Sequence, residues 1–474
     1  MKRRDFVRRS LCAAVSSAAF TSIATKLNLA HAATPQIILG GAGSYRALVC
    51  VFLYGGNDSF NMVVPRDTPH YNIYNATRAA IALPQNSLLT LTAQNAAFDG
   101  ALYGLHPSMP ELAALFNQPT SPVAITANVG PLLYPINQAQ YQNSSVPTPA
   151  QLFSHSDQQL FWQTPSADAS GRTGWGGRLA DLTTAIGQNP NLSMNISLDG
   201  ENVFEAGETV IPYFVSPNGV ENIDIVQDIP GWTEHQQRRA VLNALMNGPL
   251  SHPLERAYAA QFKRTVGNFE QVDAALQLPP NAPMEARFAY ADANGGDYLG
   301  QQLRMVARLI NRRTELSMTR QIFFVGIGGF DNHDTQLQDQ APLFASVSKG
   351  LTAFYQAMTD LSLADSVTAF TASEFGRTLT NNGDGTDHGW GGHHLVVGGA
   401  VQGGRYYGNF PSLAASNNPD NANYGQIIPT TSADQYAWTL ARWYGLADTD
   451  RDLIFPNVSR FGGSNHHHLD FLGA

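Results

Sequence analysis

Carboxylates and imidazoles recur in four short segments of this sequence, and each segment borders an apolar run. The candidate metal ligands in these segments are Asp58, Asp331, His333, Glu374, Asp387, His388 and His393. Mixed nitrogen and oxygen donors suit zinc, manganese or another divalent first-row ion, whereas magnesium and calcium sites use mostly oxygen. The composition of these segments therefore predicts a divalent metal ion as cofactor, with zinc or manganese preferred over magnesium or calcium.

Each candidate ligand also has a purely structural interpretation. Asp58 could cap a turn, and Glu374 with Arg377 could form an ion pair inside the fold. Asp387-His388 is the more specific signal, because the glycines around it allow the backbone to approach a ligand closely. For Asp58, Glu374 and Arg377, the sequence leaves the structural and the functional interpretation open.

Ser154 and Ser156 are the candidate nucleophiles. They lie where a helix is expected to begin, so a hydroxyl there is close to the positive end of the helix dipole. That position suits a phosphate or sulfate group and a hydroxyl activated by a metal ion. A plain helix cap explains the same residues equally well. Arg377 could in turn clamp an anion through two parallel hydrogen bonds.

Apolar runs and helical periodicities alternate along the chain. Strands are predicted at Arg46–Tyr54, Val123–Val129, Ser193–Leu198, Arg320–Ile327, Ser366–Thr371 and His394–Val397. Helices are predicted at Pro107–Phe116, His235–Met246, Leu254–Leu276 and Tyr298–Leu316, at 344–361, and from a capping box at Ser432 to Tyr444. This alternation predicts an α/β fold in which a mostly parallel central sheet is flanked by helices.

Ligands of open α/β sheets gather outside the carboxyl ends of the strands, and the candidate residues fall there. Because successive strand residues face opposite sides, at most one of His393 and His394 can point into such a site.

The composition excludes several classes of function. Charged residues make up 14% of the chain and the formal net charge is -9, which gives no basic surface for nucleic acid. We find no apolar stretch long enough for a stable membrane span. Of the two cysteines, Cys12 lies in the N-terminal segment and Cys50, inside an apolar run, is interpreted as a buried hydrophobe.

The first 32 residues have the features of a twin-arginine (Tat) signal peptide. Lys2-Arg3-Arg4 gives a positive start, 11–23 is a weakly apolar run, and Ala30-His31-Ala32 has the pattern of a cleavage site. We therefore expect the Tat translocase to be a partner and the protein to be periplasmic or secreted. The remainder, 33–474, is predicted to form a single α/β domain with a mainly helical insertion at about 225–316.

Several motifs occur in order along the chain. They are Leu-Tyr-Gly-Gly-Asn-Asp at 53–58, Leu-His-Pro at 105–107, Ser-His at 154–155, Asp-Asn-His at 331–333, Glu-Phe-Gly-Arg-Thr at 374–378 and Gly-Thr-Asp-His-Gly at 385–389. With the signal segment, they resemble the Tat-exported bacterial family known as domain of unknown function 1501. That family is similar to the alkaline phosphatase/sulfatase-like superfamily, whose members use two divalent ions, held by Asp and His at strand ends, to activate a Ser or Thr.

The resemblance implies a role for individual residues. Asp58 resembles the metal ligand after the first strand, and Ser154 stands at the approximate place of the nucleophile. Asp331 and His333 resemble the Asp/His ligand pair, with one residue between them where the superfamily has three. His388 resembles the late ligand before the last core strand.

The largest departure from the superfamily pattern is Glu374-Phe375, which stands where an Asp-His pair is typical. Phenylalanine cannot bind metal, so the resemblance implies that only one metal site is intact unless Asp387 or His393 substitutes. In an alternative alignment, Asp387 with His388 is the missing pair and His393 is the late ligand.

The leading hypothesis is an exported, metal-dependent hydrolase of phosphate or sulfate esters, with a small anionic ester or a polysaccharide as substrate. The alternative is a catalytically degenerate binding or assembly protein of the periplasm or cell surface on the same fold. Aromatic residues predicted in loop regions favour the alternative; they are Trp162, Trp175, Trp390, Tyr406 and Tyr407. Convergence of the candidate ligands in one pocket would favour the hydrolase.

Overall fold

A computed structural model describes residues 44–165, 172–183, 189–221, 231–293, 295–461 and 468–473. Its strands are β1 (Arg46–Leu53), β2 (Val63–Pro65), β3 (Leu89–Thr90), β4 (Tyr103–Leu105), β5 (Val123–Gly130), β6 (Asn195–Ser197), β7 (Tyr213–Phe214), β8 (Arg320–Ile327), β9 (Val367–Ala372), β10 (Gly392–Gly398), β11 (Arg405–Tyr407) and β12 (Thr431–Ser432). The predicted signal segment, 1–32, lies outside the described residues, so Tat export stays a prediction.

Most of these strands join one sheet in the order β11-β5-β10-β9-β1-β8-β6-β7, and β12 also pairs with β5. β1 pairs in parallel with β8 and β9. β10 runs antiparallel to its neighbours β9 and β5, whereas the other described pairs of this sheet are parallel. The predicted fold, a mostly parallel sheet in an α/β protein, is confirmed. β2, β3 and β4 form a separate small antiparallel sheet.

Helices flank the large sheet. They are α1 (Ser59–Met62), α2 (Thr68–Arg78), α3 (Pro110–Phe116), α4 (Gln138–Gln142), α5 (His155–Gln163), α6 (Trp175–Thr183), α7 (Thr233–Asn247), α8 (Pro253–Leu276), α9 (Ala282–Arg287), α10 (Tyr298–Asn311), α11 (Gln336–Asp360), α12 (Ala433–Tyr444) and α13 (Arg451–Ile454). Short 3₁₀ helices cover Ala79–Ile81, Gln85–Ser87, Ala289–Asp292, Ala364–Ser366, Asp448–Asp450 and Val458–Arg460. None of the described helices is long and apolar enough to cross a membrane.

The central strand is apolar on both faces because the sheet is covered on both sides. In β1, Ala47, Val49 and Val51 pack into one core cluster, while Leu48 and Cys50 pack into the other. The first cluster includes residues of α3, α10 and α11, and the second includes residues of α5, α6 and α12. Cys50 is buried, as the sequence predicted.

The boundaries of several elements differ from the sequence prediction. The helix that ends at Phe116 begins at Pro110, because proline fits the first turn of a helix, where its missing N–H is not needed. α10 ends at Asn311 and does not continue to 316. Helices α7 to α10 lie within the stretch predicted as a helical insertion. The division of the chain into one domain and an insertion stays a prediction.

The aromatic residues expected in loops are mostly buried within the fold, which corrects that expectation. Trp162 and Trp175 belong to α5 and α6, and their exposed fractions are 5% and 3%. Trp390 is buried although it lies in a loop, and Tyr406 is a buried residue of β11. These side chains fill the core and offer little surface to a ligand, so they no longer favour a binding function.

Candidate metal centre

Four connecting segments meet at one edge of the large sheet. β1, β8 and β9 are parallel, so their carboxyl ends lie together, and Asp331 and Glu374 follow β8 and β9. β10 runs the other way, so His388, which precedes it, reaches the same edge. β5 also ends at this edge, and the loop that follows it leads to His155 at the start of α5.

The side chains of His155, Asp331 and His388 converge at this edge. Nε2 of His155 lies 3.1 Å from Nε2 of His388 and 3.4 Å from Oδ2 of Asp331. Nε2 of His388 lies 3.3 Å from Oδ1 of Asp331. Donor atoms around a tetrahedral zinc ion are separated by about 3.3 Å when each bond is about 2.0–2.1 Å long. The spacing of the three donors therefore fits one shared divalent ion.

His333 adds a fourth donor on the other side of the pair formed by Asp331 and His388. Its Nε2 lies 3.0 Å from Oδ1 of Asp331 and 3.2 Å from Nε2 of His388. The four donors thus form two groups of three, and both groups contain Asp331 and His388. Three nitrogens and one carboxylate oxygen suit zinc or manganese better than magnesium or calcium.

An acceptor behind each imidazole ring holds its Nδ1. The pairs are His155 with Oε1 of Glu374 at 2.8 Å, His333 with Oδ1 of Asp387 at 3.1 Å, and His388 with the carbonyl oxygen of Phe153 at 2.7 Å. In a neutral ring, the Nδ1 that faces such an acceptor carries the proton, so Nε2 keeps its lone pair. Metal-binding histidines are typically held in this way.

The Nε2 lone pairs of His155 and His388 face each other at 3.1 Å. Two lone pairs at this distance repel each other unless a proton or a metal ion lies between them. The carboxylate of Asp331 beside them increases the affinity of the cluster for a positive charge. The arrangement therefore has the donor set and the charge that a divalent ion requires.

The environment shifts the pKa values of the three residues in different directions. The hydrogen bond to Glu374 raises the pKa of His155. Burial lowers the pKa of His388. Burial alone would raise the pKa of Asp331, but the hydrogen bond and the charge of Arg377 lower it overall. Asp331 is therefore an anionic donor, and His388 is a neutral one at neutral pH.

Arg377, which the sequence predicts as an anion clamp, lies inside the fold. Its side chain is fully buried, and Nη1 donates to Oδ1 of Asp331 at 2.5 Å and to the carbonyl of Gly55 at 3.0 Å. Nε donates to the hydroxyl of Thr386 at 3.0 Å, and Nη2 donates to the carbonyl of the same residue. With every nitrogen occupied, Arg377 positions Asp331 and keeps it ionised.

Asp58, which the sequence predicts as a metal ligand, lies outside the cluster. Its carboxylate is buried and accepts hydrogen bonds from Arg78 and Gln336. Its other oxygen accepts from the backbone N–H of Phe60 at 3.2 Å and so caps α1. Arg78 is fully buried as well, and its guanidinium neutralises the Asp58 carboxylate. The negative charge that would attract a metal ion is therefore already compensated.

Glu374 contacts Nδ1 of His155, whereas Nε2 of the same ring faces Asp331 and His388. This position suits a group that orients the ring better than a direct metal ligand. Glu374 is fully buried, and Oε1 also accepts from the backbone N–H of Gly55 at 2.9 Å and from Gln159 at 3.1 Å. Gly55 has φ +114°, and a Cβ there would collide with the backbone nitrogen of Asp331. The glycine thus permits the close approach that joins these two segments.

Phe375 packs against two of the imidazole rings. Its ring centroid lies 4.7 Å from that of His388 in a stacked arrangement and 4.9 Å from that of His155. Phe375 is buried and restricts the orientation of both rings. Phe375 therefore contributes packing around His155 and His388.

His393 is buried in β10 and is absent from the contacts described for the cluster. Its Nδ1 accepts from the backbone N–H of Asn128 at 3.0 Å, and its ring packs between Phe60 and Phe410. Burial lowers the pKa of His393 to about 3, so the ring is neutral. The prediction of His393 as a substitute ligand is not supported, because the strand directs it into an aromatic pocket.

Ser154 is the N-cap residue of α5 and immediately precedes His155. Its hydroxyl makes no capping hydrogen bond to the helix backbone and donates instead to Oδ2 of Asp157 at 2.6 Å. Oγ of Ser156 lies 3.4 Å from Oγ of Ser154. The candidate nucleophiles are thus adjacent in sequence to a residue of the cluster, and a carboxylate can accept the proton of Ser154.

His155 is the site residue that the sequence prediction missed. The Ser-His motif at 154–155 drew attention to the serine, and the histidine was not counted as a ligand. His155 is the first residue of α5, and the start of that helix lies next to the carboxyl edge of the sheet, where ligands gather. This position could have identified it as a candidate ligand.

Solved structures similar to this chain include the lipoteichoic acid synthase LtaP from Listeria monocytogenes, with 10% sequence identity and a TM-score of 0.33 over 88% of this chain and 77% of that chain. Another is Ps i-CgsB in complex with k-i-k-neocarrahexaose, with 11% identity and a TM-score of 0.29 over 86% of this chain and 74% of that chain. Similarity at this level carries no argument about activity. No match was found among curated proteins.

The family assignment rests on a separate comparison. The model of a protein family of unknown function, DUF1501, matches residues 45–435, which include the sheet and all residues of the cluster. The family that the sequence motifs resemble is therefore confirmed: this chain belongs to the DUF1501 family.

Proposed function

We propose that this chain is an exported, metal-dependent hydrolase of phosphate or sulfate esters that holds one divalent ion between His155, Asp331 and His388. The observation that supports this most is the convergence of the two Nε2 atoms and the Asp331 carboxylate within 3.4 Å, while both rings are held from behind. His333 is a fourth donor at 3.0 Å from Asp331. Asp387 orients His333 in this proposal.

A divalent ion held there would polarise an ester oxygen and favour the deprotonated form of a nearby hydroxyl. Among the groups of the chain itself, Arg377 holds the Asp331 carboxylate in place, and Glu374 fixes the ring of His155. The exposed fractions of the Asp331 and His155 side chains are 43% and 33%, so a substrate can reach the donors from solvent.

Ser154 is the proposed nucleophile. The first turn of α5 places its hydroxyl near the positive end of the helix dipole, which favours an anion there. The carboxylate of Asp157 accepts its hydrogen bond at 2.6 Å and would take the proton as the hydroxyl attacks. Ser156 lies further along the same turn and is the alternative to be tested beside it.

Export through the Tat route is part of the proposal and is supported by Lys2-Arg3-Arg4 and the apolar run that follows it. Replacing Arg3 and Arg4 together with lysine should retain the protein in the cytoplasmic fraction. Recovery of the double variant in the periplasm at the level of the unchanged chain would contradict this part of the proposal.

The central experiment measures metal content and ester cleavage on the purified chain. After incubation with zinc or manganese and removal of free metal, elemental analysis should give about one ion per chain. His155→Ala, Asp331→Ala and His388→Ala should each lose the ion, whereas His252→Asn, which changes an exposed histidine on the helical stretch, should retain it. Equal metal content in all variants would overturn the site.

Activity is tested with nitrophenyl esters of phosphate and sulfate. Ser154→Ala should abolish turnover by the metal-loaded chain but keep the metal, and Ser156→Ala should retain turnover. If the metal-loaded chain cleaves no ester, the hydrolase proposal fails.

A second candidate is the binding or assembly protein on the same fold. The observation that favours it is that Arg377, the predicted anion clamp, and Asp58, a predicted metal ligand, are both paired inside the fold. In that case, the metal-loaded chain should bind a polysaccharide without cleaving any ester, and His155→Ala should lose that binding.

A further inference from the structure

We propose that the site selects esters that carry one negative charge, such as sulfate monoesters and phosphate diesters, over phosphate monoesters. This inference rests on the proposed function and names its substrate class. A phosphate monoester carries a charge of about -1.5 to -2 at pH 7, because its second pKa is near 6. Sulfate monoesters and phosphate diesters carry a single negative charge under the same conditions.

The positive side chains near the cluster are already committed to the protein. Arg377 is fully buried, and its guanidinium contacts Asp331, Gly55 and Thr386. Arg78, the guanidinium on Asp58, is fully buried too. Among the described residues, the lysines are Lys263 and Lys349, which lie in the long helices α8 and α11 rather than at the strand ends. A substrate therefore meets no free guanidinium or ammonium group from these residues.

Carboxylates supply the opposite charge around the same donors. Asp331 and Glu374 together balance the charge of a divalent ion, and Glu374 lies directly behind His155 at 2.8 Å. Asp387 adds a third carboxylate, and together the three carboxylates equal the summed formal charge of a divalent ion and Arg377. The side chain of Asp387 is 61% exposed and lies 3.1 Å from His333. The loaded site is thus close to neutral and has an exposed carboxylate on its rim. A second negative charge on a substrate is therefore not balanced by these groups, and the exposed carboxylate of Asp387 repels it.

Asp387 is the residue through which this selectivity can be altered. Its Oδ1 accepts from His333 at 3.1 Å and from Nδ2 of Asn382 at 3.1 Å. Asp387→Asn keeps an oxygen acceptor for both donors and removes the charge. The substitution therefore separates the charge of the rim from the orientation of His333.

A matched control lies at the other edge of the sheet. Asp448 follows α12, which begins beside the carboxyl end of β5 and ends at Tyr444. In the last turn of this helix, the carbonyl of Trp443 accepts a hydrogen bond from Arg46 at the start of β1. The side chain of Asp448 is 68% exposed and pairs with Arg442. Asp448→Asn removes the same charge from the chain without changing the candidate site.

The test compares kcat/KM of the full metal-loaded chain for p-nitrophenyl sulfate, bis(p-nitrophenyl) phosphate and p-nitrophenyl phosphate at pH 8. At least one singly charged ester should be preferred to the monoester by about tenfold or more, and Asp387→Asn should shift the ratio toward the monoester by about fivefold. Asp448→Asn should leave the ratio unchanged.

The outcomes separate the two proposals. Preferred cleavage of p-nitrophenyl phosphate would overturn the charge selectivity and leave the hydrolase proposal standing. An unchanged ratio in Asp387→Asn, or an equal shift in Asp448→Asn, would overturn the role of the rim charge. Absence of cleavage for all three esters would overturn the hydrolase proposal, and the selectivity with it.

Discussion

Nδ1 of His155 lies 2.8 Å from Oε1 of Glu374, although 219 residues separate the two along the chain. The carboxylate is fully buried and also accepts from Gly55 and Gln159, so it cannot turn away from the ring. This contact joins the start of α5 to the end of β9 and fixes which nitrogen of His155 faces Asp331. Glu374 therefore contacts the cluster through Nδ1 of His155, on the side of the ring away from Asp331.

Removing the charge of Glu374 should weaken metal binding. In Glu374→Gln, zinc affinity should fall roughly 10–100-fold, because a group that orients a metal-binding histidine and raises its basicity has an effect of this size. Competition with a chromophoric chelator measures the affinity. The control is Glu315→Gln, an exposed carboxylate beside Arg312 near the amino end of β8. Affinities within twofold of each other for Glu374→Gln and the unchanged chain would contradict the orienting role.

Metal affinity should depend on pH through the imidazoles. Protons compete with metal for Nε2, and the pKa of His155 is raised by its hydrogen bond to Glu374 while that of His388 is lowered by burial. His155 therefore releases its proton later than an ordinary histidine as pH rises. Zinc affinity should keep increasing above pH 6.5, the ordinary pKa of histidine, and level off only when His155 is neutral. Calorimetric titrations at a series of pH values measure this profile, and an affinity that is already level below pH 6.5 would contradict it.

The buried pair between Arg78 and Asp58 should matter for stability and not for metal. Arg78→Met leaves a buried carboxylate uncompensated and should lower the free energy of unfolding by about 3–5 kcal/mol, as measured by urea denaturation. Arg287→Met, which breaks a partly exposed pair with Asp360, should cost at most about 1 kcal/mol.

Asp58→Asn should bind metal in the same ratio as the unchanged chain. Loss of the ion in this variant would restore Asp58 as a ligand.

Glu205 should make stability depend on pH. It is fully buried, and burial raises its pKa from the ordinary value of 4.5 to about 8. As pH rises from 4.5 toward 8, the unfolded chain releases this proton while the folded chain retains it, so the folded state loses relative stability. Glu205→Gln does not titrate, and its stability relative to the unchanged chain should increase by about 1.4 kcal/mol per pH unit in this window. Urea denaturation at several pH values tests this; Glu201→Gln, an exposed neighbour, should follow the unchanged chain. Parallel profiles for Glu205→Gln and the unchanged chain would refute the assignment.

The central strands were predictable from the sequence because each is a continuous apolar run. The prediction for Arg320–Ile327 agrees with β8, and the capping box at Ser432 begins α12 as expected. The direction of β10 was not predictable in this way, since an apolar run has the same composition whichever way the strand points. That direction decides that His388 meets Asp331 at the edge of the sheet.

The sequence by itself determined the family, the α/β fold and three residues of the cluster: Asp331, His333 and His388. Apolar runs specify buried strands, and polar residues that follow such strands, as Asp331 and His333 follow β8, share an edge. For His388, the sequence named the candidate, and the antiparallel direction of β10 brought it to that edge. Only the tertiary structure decided the roles of Glu374, Arg377, Asp58 and His393, and it added His155. Whether a carboxylate or an imidazole faces a shared point, a buried guanidinium or an aromatic pocket depends on contacts between segments hundreds of residues apart, and local sequence does not record those contacts.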